Sequence, residues 1–152
     1  MRVIIKHLSI MGSFHFNPKN TMKKKTVLFV DDDPVALRLV MDEFRSRFGD
    51  EAFKYEKAAD AIEAEEIIVE DLTKGNELPT MIVCDWMMPE KRGDDFLREV
   101  HKLYPQIKLV LHSGLADKTT ESVIRRDAEL VCSLPKPWDG VQHADALQAA
   151  LA

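Results

Sequence analysis

The feature that most restricts the fold of this chain is the alternation of strand-length runs with segments of helical periodicity. Most of the runs are apolar almost throughout, as expected for strands that are buried on both faces. Strands are predicted at residues 26–30, 53–59, 80–85, 107–111 and 130–134. Helices are predicted at about residues 34–48, 60–73, 94–104, 117–128 and 141–151. This alternation predicts right-handed crossovers and one parallel sheet with helices on both faces.

The length of 152 residues fits one domain with a sizeable core. After Met22 the sequence shows no change of composition, internal repeat or low-complexity tract. Residues 1–22 do not share the pattern that follows them, and Met22 resembles a natural start. We therefore predict a flexible N-terminal extension over residues 1–22, with an added strand or a partner-binding arm as the alternative, and one folded domain over residues 23–152.

Composition and charge exclude several classes of protein. The net charge of −5 argues against a nucleic-acid-binding surface, and no apolar run approaches the ~20 residues that span a bilayer. Lys6 and His7 interrupt the apolar N-terminal stretch, so a secretory signal is not expected. Cys84 and Cys132 lie in apolar runs, which predicts buried free thiols in a reducing compartment. A cytoplasmic location follows.

Special polar side chains follow four of the predicted strands. Asp31 and Asp32 follow the first strand, Asp85 ends the third, Ser113 follows the fourth and Lys136 follows the fifth. In a parallel sheet these positions share one edge, where open α/β sheets bind ligands. Two carboxylates ~4 Å apart repel by about 4 kcal/mol at an effective dielectric of ~20. Mg²⁺ would relieve that repulsion, and the hydroxyl and ammonium groups suit phosphate oxygens.

Simpler explanations exist for two of the aspartates. Asp85 taken alone could merely start a turn, since aspartate is common there. Asp33 precedes Pro34 and is expected to be a helix N-cap rather than a metal ligand.

Four motifs together resemble the receiver domain of two-component response regulators. They are Val-Asp-Asp-Asp-Pro at 30–34, Cys-Asp-Trp-Met-Met-Pro at 84–89, His-Ser-Gly at 112–114 and Leu-Pro-Lys-Pro-Trp at 134–138. The resemblance covers roughly residues 24–152 and is specific because all four occur in order. It implies the flavodoxin-like (βα)5 fold of chemotaxis receivers, a doubly wound five-stranded parallel sheet with strand order 2-1-3-4-5 in a single domain.

The resemblance also implies roles for individual residues. Asp85 corresponds to the phosphoacceptor. Asp31 and Asp32 correspond to the acidic pair that holds Mg²⁺ with Asp85, and the backbone carbonyl of Met87 is a further ligand.

Two further positions correspond to the groups that contact the phosphoryl group. Ser113 would bond it through its hydroxyl, and Lys136 would pair with it, with a cis Lys136–Pro137 bond. The implied reaction is phosphoryl transfer from a histidine kinase or a histidine phosphotransfer protein. The chain would then be a stand-alone regulator that signals to a downstream protein, not an enzyme beyond assisting its own phosphotransfer and dephosphorylation.

One departure from the family concerns switching. Many receivers carry an aromatic residue three positions before the lysine, where this chain has Ser133. In those receivers the aromatic side chain moves inward after phosphorylation, and we do not expect a serine to replace it in this role. The fourth helix has few apolar residues, so we predict that this helix responds to phosphorylation instead.

Two other classes of function remain as alternatives. One is a receiver-like scaffold that binds partners without phosphorylation, which Ser133 favours and the complete acidic set opposes. The other is a haloacid-dehalogenase-type phosphatase, because Asp31 and Asp33 satisfy an Asp-x-Asp motif. That family needs an acidic cluster after the lysine, where only Asp139 and Asp145 remain, and the motif around Asp85 would be unexplained. A flavin site is disfavoured because the acidic turn would repel a phosphate.

Overall fold

Five strands and five helices alternate along the residues that the computed structural model describes, which are 23–114, 117–140 and 142–151. The strands are β1 (Lys25–Val30), β2 (Phe53–Ala58), β3 (Met81–Asp85), β4 (Lys108–Ser113) and β5 (Cys132–Pro135). The helices are α1 (Pro34–Phe48), α2 (Ala61–Lys74), α3 (Gly93–Leu103), α4 (Lys118–Asp127) and α5 (Gln142–Leu151). The extension predicted at residues 1–22 lies outside the described residues.

The strands form one parallel sheet in the order β2-β1-β3-β4-β5, which confirms the predicted fold class. The chain runs outward from β1 to β2 and then returns to place β3 on the other side of β1. The carboxyl ends of β1 and β3 therefore flank the point where the connections diverge, which is the ligand-binding crevice of such sheets.

The sheet separates two apolar clusters, one on each face. The first packs α2, α3 and α4 against one face and includes Leu28, Ile68, Ile82, Phe96, Leu97 and Ile124. The second packs α1 and α5 against the other face and includes Val27, Phe29, Leu37, Phe44, Val110 and Leu147. Burial of every second strand residue on each face explains why these strands are apolar throughout.

Side chains at the first turns fix where the helices start. The carboxylate of Asp33 accepts hydrogen bonds from the backbone N–H groups of Val35, at 2.9 Å, and Ala36, at 3.3 Å. Asp33 is therefore the N-cap of α1, as the sequence predicted, with Pro34 at the first helical position. At α2, Asp60 accepts from the Glu63 N–H while the Glu63 carboxylate accepts from the Ala59 N–H.

Three apolar residues of the predicted helices are more exposed than their helical spacing indicates. Leu72 and Leu103 are 40% and 65% exposed because they lie in the last turns of α2 and α3. Val123 is 39% exposed, whereas its neighbour Ile124 is buried, since adjacent helix positions point about 100° apart.

The two cysteines also differ from each other. Cys84 is fully buried, but Cys132 is only partly buried because it begins the edge strand β5. Burial raises the pKa of both thiols, so neither is an activated nucleophile. Across the described ranges, no helix is long and apolar enough to cross a membrane.

The aromatic cluster under α1 generates a stability prediction. Phe44 is fully buried, and its ring packs near those of Phe29 and Phe53 at centroid distances of 5.6 and 6.0 Å. We expect Phe44→Ala to lower the free energy of unfolding by about 3–5 kcal/mol in urea denaturation. The control is Leu39→Ala on the same helix, where the side chain is 56% exposed and the change should stay within about 0.5 kcal/mol. Equal effects of the two substitutions would contradict this account of the core.

Candidate functional site

Three carboxylates converge at the carboxyl ends of β1 and β3. Val30 pairs with Cys84 in the sheet, so the next residues, Asp31 and Asp85, lie side by side. Asp31, Asp32 and Asp85 each offer an oxygen atom, and these atoms lie within 4.8 Å of one another. Asp31 and Asp85 are buried, whereas Asp32 is exposed. The structure thus brings together the acidic residues that the sequence singled out.

Lys136 reaches this acidic cluster from the end of β5. Its Nζ donates a hydrogen bond to Asp31 Oδ2 at 2.8 Å and lies 3.2 Å from Asp85 Oδ1. The backbone N–H of Lys136 donates to the Ser113 carbonyl at 2.8 Å, and the Lys136–Pro137 peptide bond is cis, as predicted. One ammonium group therefore bridges two carboxylates that come from different strands.

The charges at the site are only partly balanced. Burial, followed by the neighbouring charge of Asp31, raises the pKa of Asp85 to about 6, although Lys136 opposes this shift. Burial lowers the pKa of Lys136, but its contacts with Asp31 and Asp85 outweigh burial and raise it overall. A divalent cation among the three carboxylates would remove the remaining repulsion. All-oxygen donors of this kind fit Mg²⁺.

Ser113 and Met87 are the other predicted site residues. Ser113 is the last residue of β4 and is partly buried next to the Lys136 backbone. Met87 follows Asp85 by two residues, and its side chain is exposed. The ligand role of the Met87 carbonyl stays a prediction.

The loop after Asp85 depends on a glycine whose importance the sequence did not reveal. A Cβ atom on Gly93 would lie 1.8 Å from the carbonyl oxygen of Asp85, so any larger residue would displace the end of β3. The Gly93 N–H also donates to the Trp86 carbonyl at 2.7 Å. The signal in the sequence that could have identified Gly93 is its position directly before a predicted helix.

A second missed residue, Asp94, anchors Trp86, the residue that follows Asp85. Buried Asp94 accepts a hydrogen bond from Trp86 Nε1 at 2.9 Å. Arg92 and Arg98 donate to the same carboxylate, and Arg92 lies over the Trp86 ring. Trp86 is thereby held by packing and hydrogen bonding, as expected for a residue that borders the site.

The position of Ser133 leaves a small pocket beside the site. Ser113, Ser133, Trp86 and Leu111 are among the residues that line this space of about 130 Å³. The Ser133 hydroxyl oxygen is buried and has no hydrogen-bond partner among the described residues. Ser133, which stands where many receivers have an aromatic residue, therefore leaves unfilled space in the packing.

Two histidines, His112 and His143, pack together although they are far apart in the sequence. His112 precedes Ser113 and is buried, with ring centroids 6.0 Å from His143 and 5.9 Å from Trp138. Burial, followed by the charge of Lys136, lowers the pKa of His112 to about 4. His112 is therefore neutral at physiological pH and has a structural role in this packing.

Comparison with known proteins identifies the family. The sequence model described as the response regulator receiver domain matches residues 27–148. The chain belongs to the response regulator receiver domain family. Proteins of this family are regulatory phosphoacceptors of two-component signalling.

Two curated relatives of this receiver domain are much longer proteins. The sensor kinase CckA of Brucella abortus (strain 2308) is 32% identical over 126 residues, which are 83% of this chain and 12% of that protein. The hydrogenase transcriptional regulatory protein HoxA of Cupriavidus necator is 31% identical over 131 residues, which are 85% of this chain and 24% of that protein. The chain thus spans no more than a quarter of either relative.

Solved structures show the same fold. A CheY-like receiver domain protein from Methanospirillum hungatei JF-1 is 25% identical with a TM-score of 0.71, covering 85% of this chain and 94% of that chain. The CheX–CheY–BeF3–Mg²⁺ complex of Borrelia burgdorferi gives a TM-score of 0.71 at 18% identity, covering 84% of this chain and 90% of that chain.

The buried histidine generates a pH prediction. The pKa of His112 is about 4 in the folded state against 6.5 for an ordinary histidine, so the unfolded chain binds the proton more readily between these values. The free energy of unfolding should therefore fall as the pH is lowered from about 6.5 to about 4. The loss approaches about 3 kcal/mol, since one pKa unit corresponds to about 1.4 kcal/mol.

The measurement is urea denaturation at several pH values, compared with His112→Leu. The raised pKa of Asp85 acts with the opposite sign, because its folded state binds the proton more readily, and it cancels in the difference between the two proteins. Parallel stability profiles for the two proteins would show that His112 is not held neutral.

Proposed function

We propose that this receiver domain accepts a phosphoryl group on Asp85 from a histidine kinase or a histidine phosphotransfer protein. The observation that carries the proposal is Lys136 Nζ, which contacts both Asp31 and Asp85 inside a cluster of three carboxylates. If Lys136 had only a structural role, one carboxylate partner would be enough to balance its charge. Two buried carboxylates and a third beside them leave excess negative charge that suits a bound cation and a phosphoryl group.

Asp31, Asp32, Asp85 and the backbone carbonyl of Met87 would hold the Mg²⁺. Bound there, the ion would neutralise negative charge on the phosphoryl oxygens.

The chain's own residues would carry out the remaining chemistry. An Asp85 carboxylate oxygen forms a bond to phosphorus while the bond from phosphorus to the donor's imidazole nitrogen breaks. With a pKa of about 6, Asp85 is mostly ionised at neutral pH and can attack. Lys136 and the Ser113 hydroxyl then donate hydrogen bonds to phosphoryl oxygens. Catalysis would consist of positioning and charge stabilisation, as is general for phosphoryl transfer.

The proposed setting is cytoplasmic signalling through contacts with other proteins. The names of the two relatives, a sensor kinase and a transcriptional regulatory protein, support a place in two-component signalling. The net charge of −5 disfavours direct binding of this domain to nucleic acid. We expect no turnover of external phosphate esters.

Substitution of the acceptor tests the proposal directly. Asp85→Asn should abolish labelling by a phosphorylated donor or by acetyl phosphate, because an amide is not a nucleophile for phosphorus. Intact-mass spectrometry measures the gain of one phosphoryl group. The control is Asp33→Asn, since asparagine also caps helices and Asp33 is the N-cap of α1.

The metal requirement is tested in the same assay. Chelation with EDTA should suppress labelling of the unaltered protein, and Mg²⁺ should restore it. Full labelling of Asp85→Asn would overturn the acceptor assignment. A lack of labelling in every protein would instead favour a scaffold that works without phosphorylation.

The response to phosphorylation should be concentrated in α4. Ile124 is the one buried residue of this helix, and Glu121 lines the pocket beside Ser113. Reversing a 1:99 population requires about 5.5 kcal/mol, which two charge-assisted hydrogen bonds of about 1.5–3 kcal/mol each could nearly supply. We therefore expect beryllofluoride with Mg²⁺ to change hydrogen exchange in α4 and leave α2 unchanged. Identical exchange in α4 with and without the mimic would contradict this mechanism.

A further inference from the structure

The pocket next to Ser133 has the size and lining of a binding site for one aromatic ring. Its volume is about 130 Å³. An engineered protein cavity of about 150 Å³ binds benzene, whereas drug-sized ligands occupy pockets of roughly 300–1,000 Å³. Trp86, Leu111 and Leu134 supply apolar walls, and Ser133 and Glu121 add oxygen atoms. Apolar walls with a few polar groups are the usual lining of a small-molecule site.

This pocket extends from the core of the domain to its surface. Leu111, Leu134 and Trp86 are buried and form its inner part. Pro135, which also lines the pocket, is exposed, and Glu121 is partly exposed. Solvent therefore reaches one side of the pocket, and a ligand can enter there while the core stays folded.

The hydroxyl of Ser133 gives the pocket a polar group to which a ligand can bond. Its oxygen is buried and has no hydrogen-bond partner among the described residues. Ser133 pairs with Leu111 in the sheet, and both side chains line the pocket, so the hydroxyl lies beside an apolar neighbour. Burial of a hydroxyl without a hydrogen bond is unfavourable. A ligand that bonds this oxygen therefore gains affinity and specificity from it.

The charge around the pocket favours a neutral ligand over an anionic one. Glu121 lies in the first turn of α4, and its carboxylate has no ion-pair partner within the described ranges. Lys136 follows Pro135 of the lining, but its ammonium group already contacts Asp31 and Asp85. A ligand that carries a carboxylate would therefore be repelled by Glu121, whereas a neutral ring would not.

From the volume, the lining and the buried hydroxyl we infer that this pocket binds a neutral phenol. The ring contacts Trp86 and Leu134, and the phenol hydroxyl exchanges a hydrogen bond with the Ser133 hydroxyl. The phenol belongs either to a free small molecule or to a tyrosine side chain of a partner protein, and the experiment separates these sources. The inference does not depend on the phosphoryl chemistry at Asp85.

The test titrates phenol into the full chain labelled with nitrogen-15 and follows the Trp86 indole N–H signal by NMR. We expect a saturable shift with a dissociation constant on the order of 1 mM, which is reasonable for so small a ligand. Toluene has a similar shape but lacks the hydroxyl. The ratio of the phenol and toluene affinities should fall roughly three- to tenfold in Ser133→Ala, because only the hydrogen bond to phenol is lost. Benzoate should not bind.

A second variant, Ser133→Phe, should abolish binding because the added ring fills the pocket. The matched control is Ser46→Phe, which places the same ring at an exposed position of α1 and should leave the dissociation constant unchanged. If Ser133→Phe fails to fold, the affinity ratio in Ser133→Ala decides the question. N-acetyltyrosinamide separates the two sources: binding as tight as that of phenol assigns the pocket to a tyrosine side chain, and its exclusion assigns the pocket to a free phenol.

Three results would overturn the inference. One is the absence of a saturable shift of the Trp86 signal up to roughly 20 mM phenol, which is far above the expected dissociation constant. Another is undiminished phenol binding by folded Ser133→Phe, which would place the ligand elsewhere on the domain. The third is an unchanged ratio of phenol to toluene affinity in Ser133→Ala, which would show that the Ser133 hydroxyl does not recognise the ligand.

Discussion

The structure of the site depends on a shortage of positive charge at the carboxyl ends of β1 and β3. Asp31 and Asp85 are both buried and share one ammonium group, that of Lys136. Two like charges ~4 Å apart cost about 4 kcal/mol even at an effective dielectric of ~20. Burial, followed by this repulsion from Asp31, raises the pKa of Asp85 to about 6. A site built in this way favours binding of a cation among its carboxylates.

The rest of the fold maintains this unfavourable arrangement. The register of β1 with β3 fixes the two aspartates side by side, and the pairing of Ser113 with Pro135 places Lys136 next to them. The apolar clusters on both faces supply the stability that offsets the repulsion between these charges. Gly93 completes the arrangement, because its lack of a side chain lets the loop after β3 pass over the Asp85 carbonyl.

The sequence was sufficient to predict the regular strands and helices and the polar residues that lie at the ends of strands. Alternating runs identified the elements, and carboxylates at strand ends identified Asp31, Asp32 and Asp85. Features that depend on contacts between distant segments were not predictable in the same way. His112 and His143 are 31 positions apart and meet only because α5 packs beside β4. Leu103 has the spacing of a core residue, but its helix ends before any neighbour covers it.

The gap at Ser133 bears on how a modification at Asp85 would be transmitted. In the proposed function, the Ser113 hydroxyl turns toward a phosphoryl oxygen. This movement enlarges a pocket whose volume is already about 130 Å³. A serine cannot fill that space, so position 133 of β5 offers no bulky side chain that could follow the movement. Glu121, however, lines the same pocket and belongs to α4, which has one buried side chain, Ile124. The weakest-packed helix therefore adjoins the space that changes, and this favours a shift in the packing of α4 over the rotation of an aromatic ring.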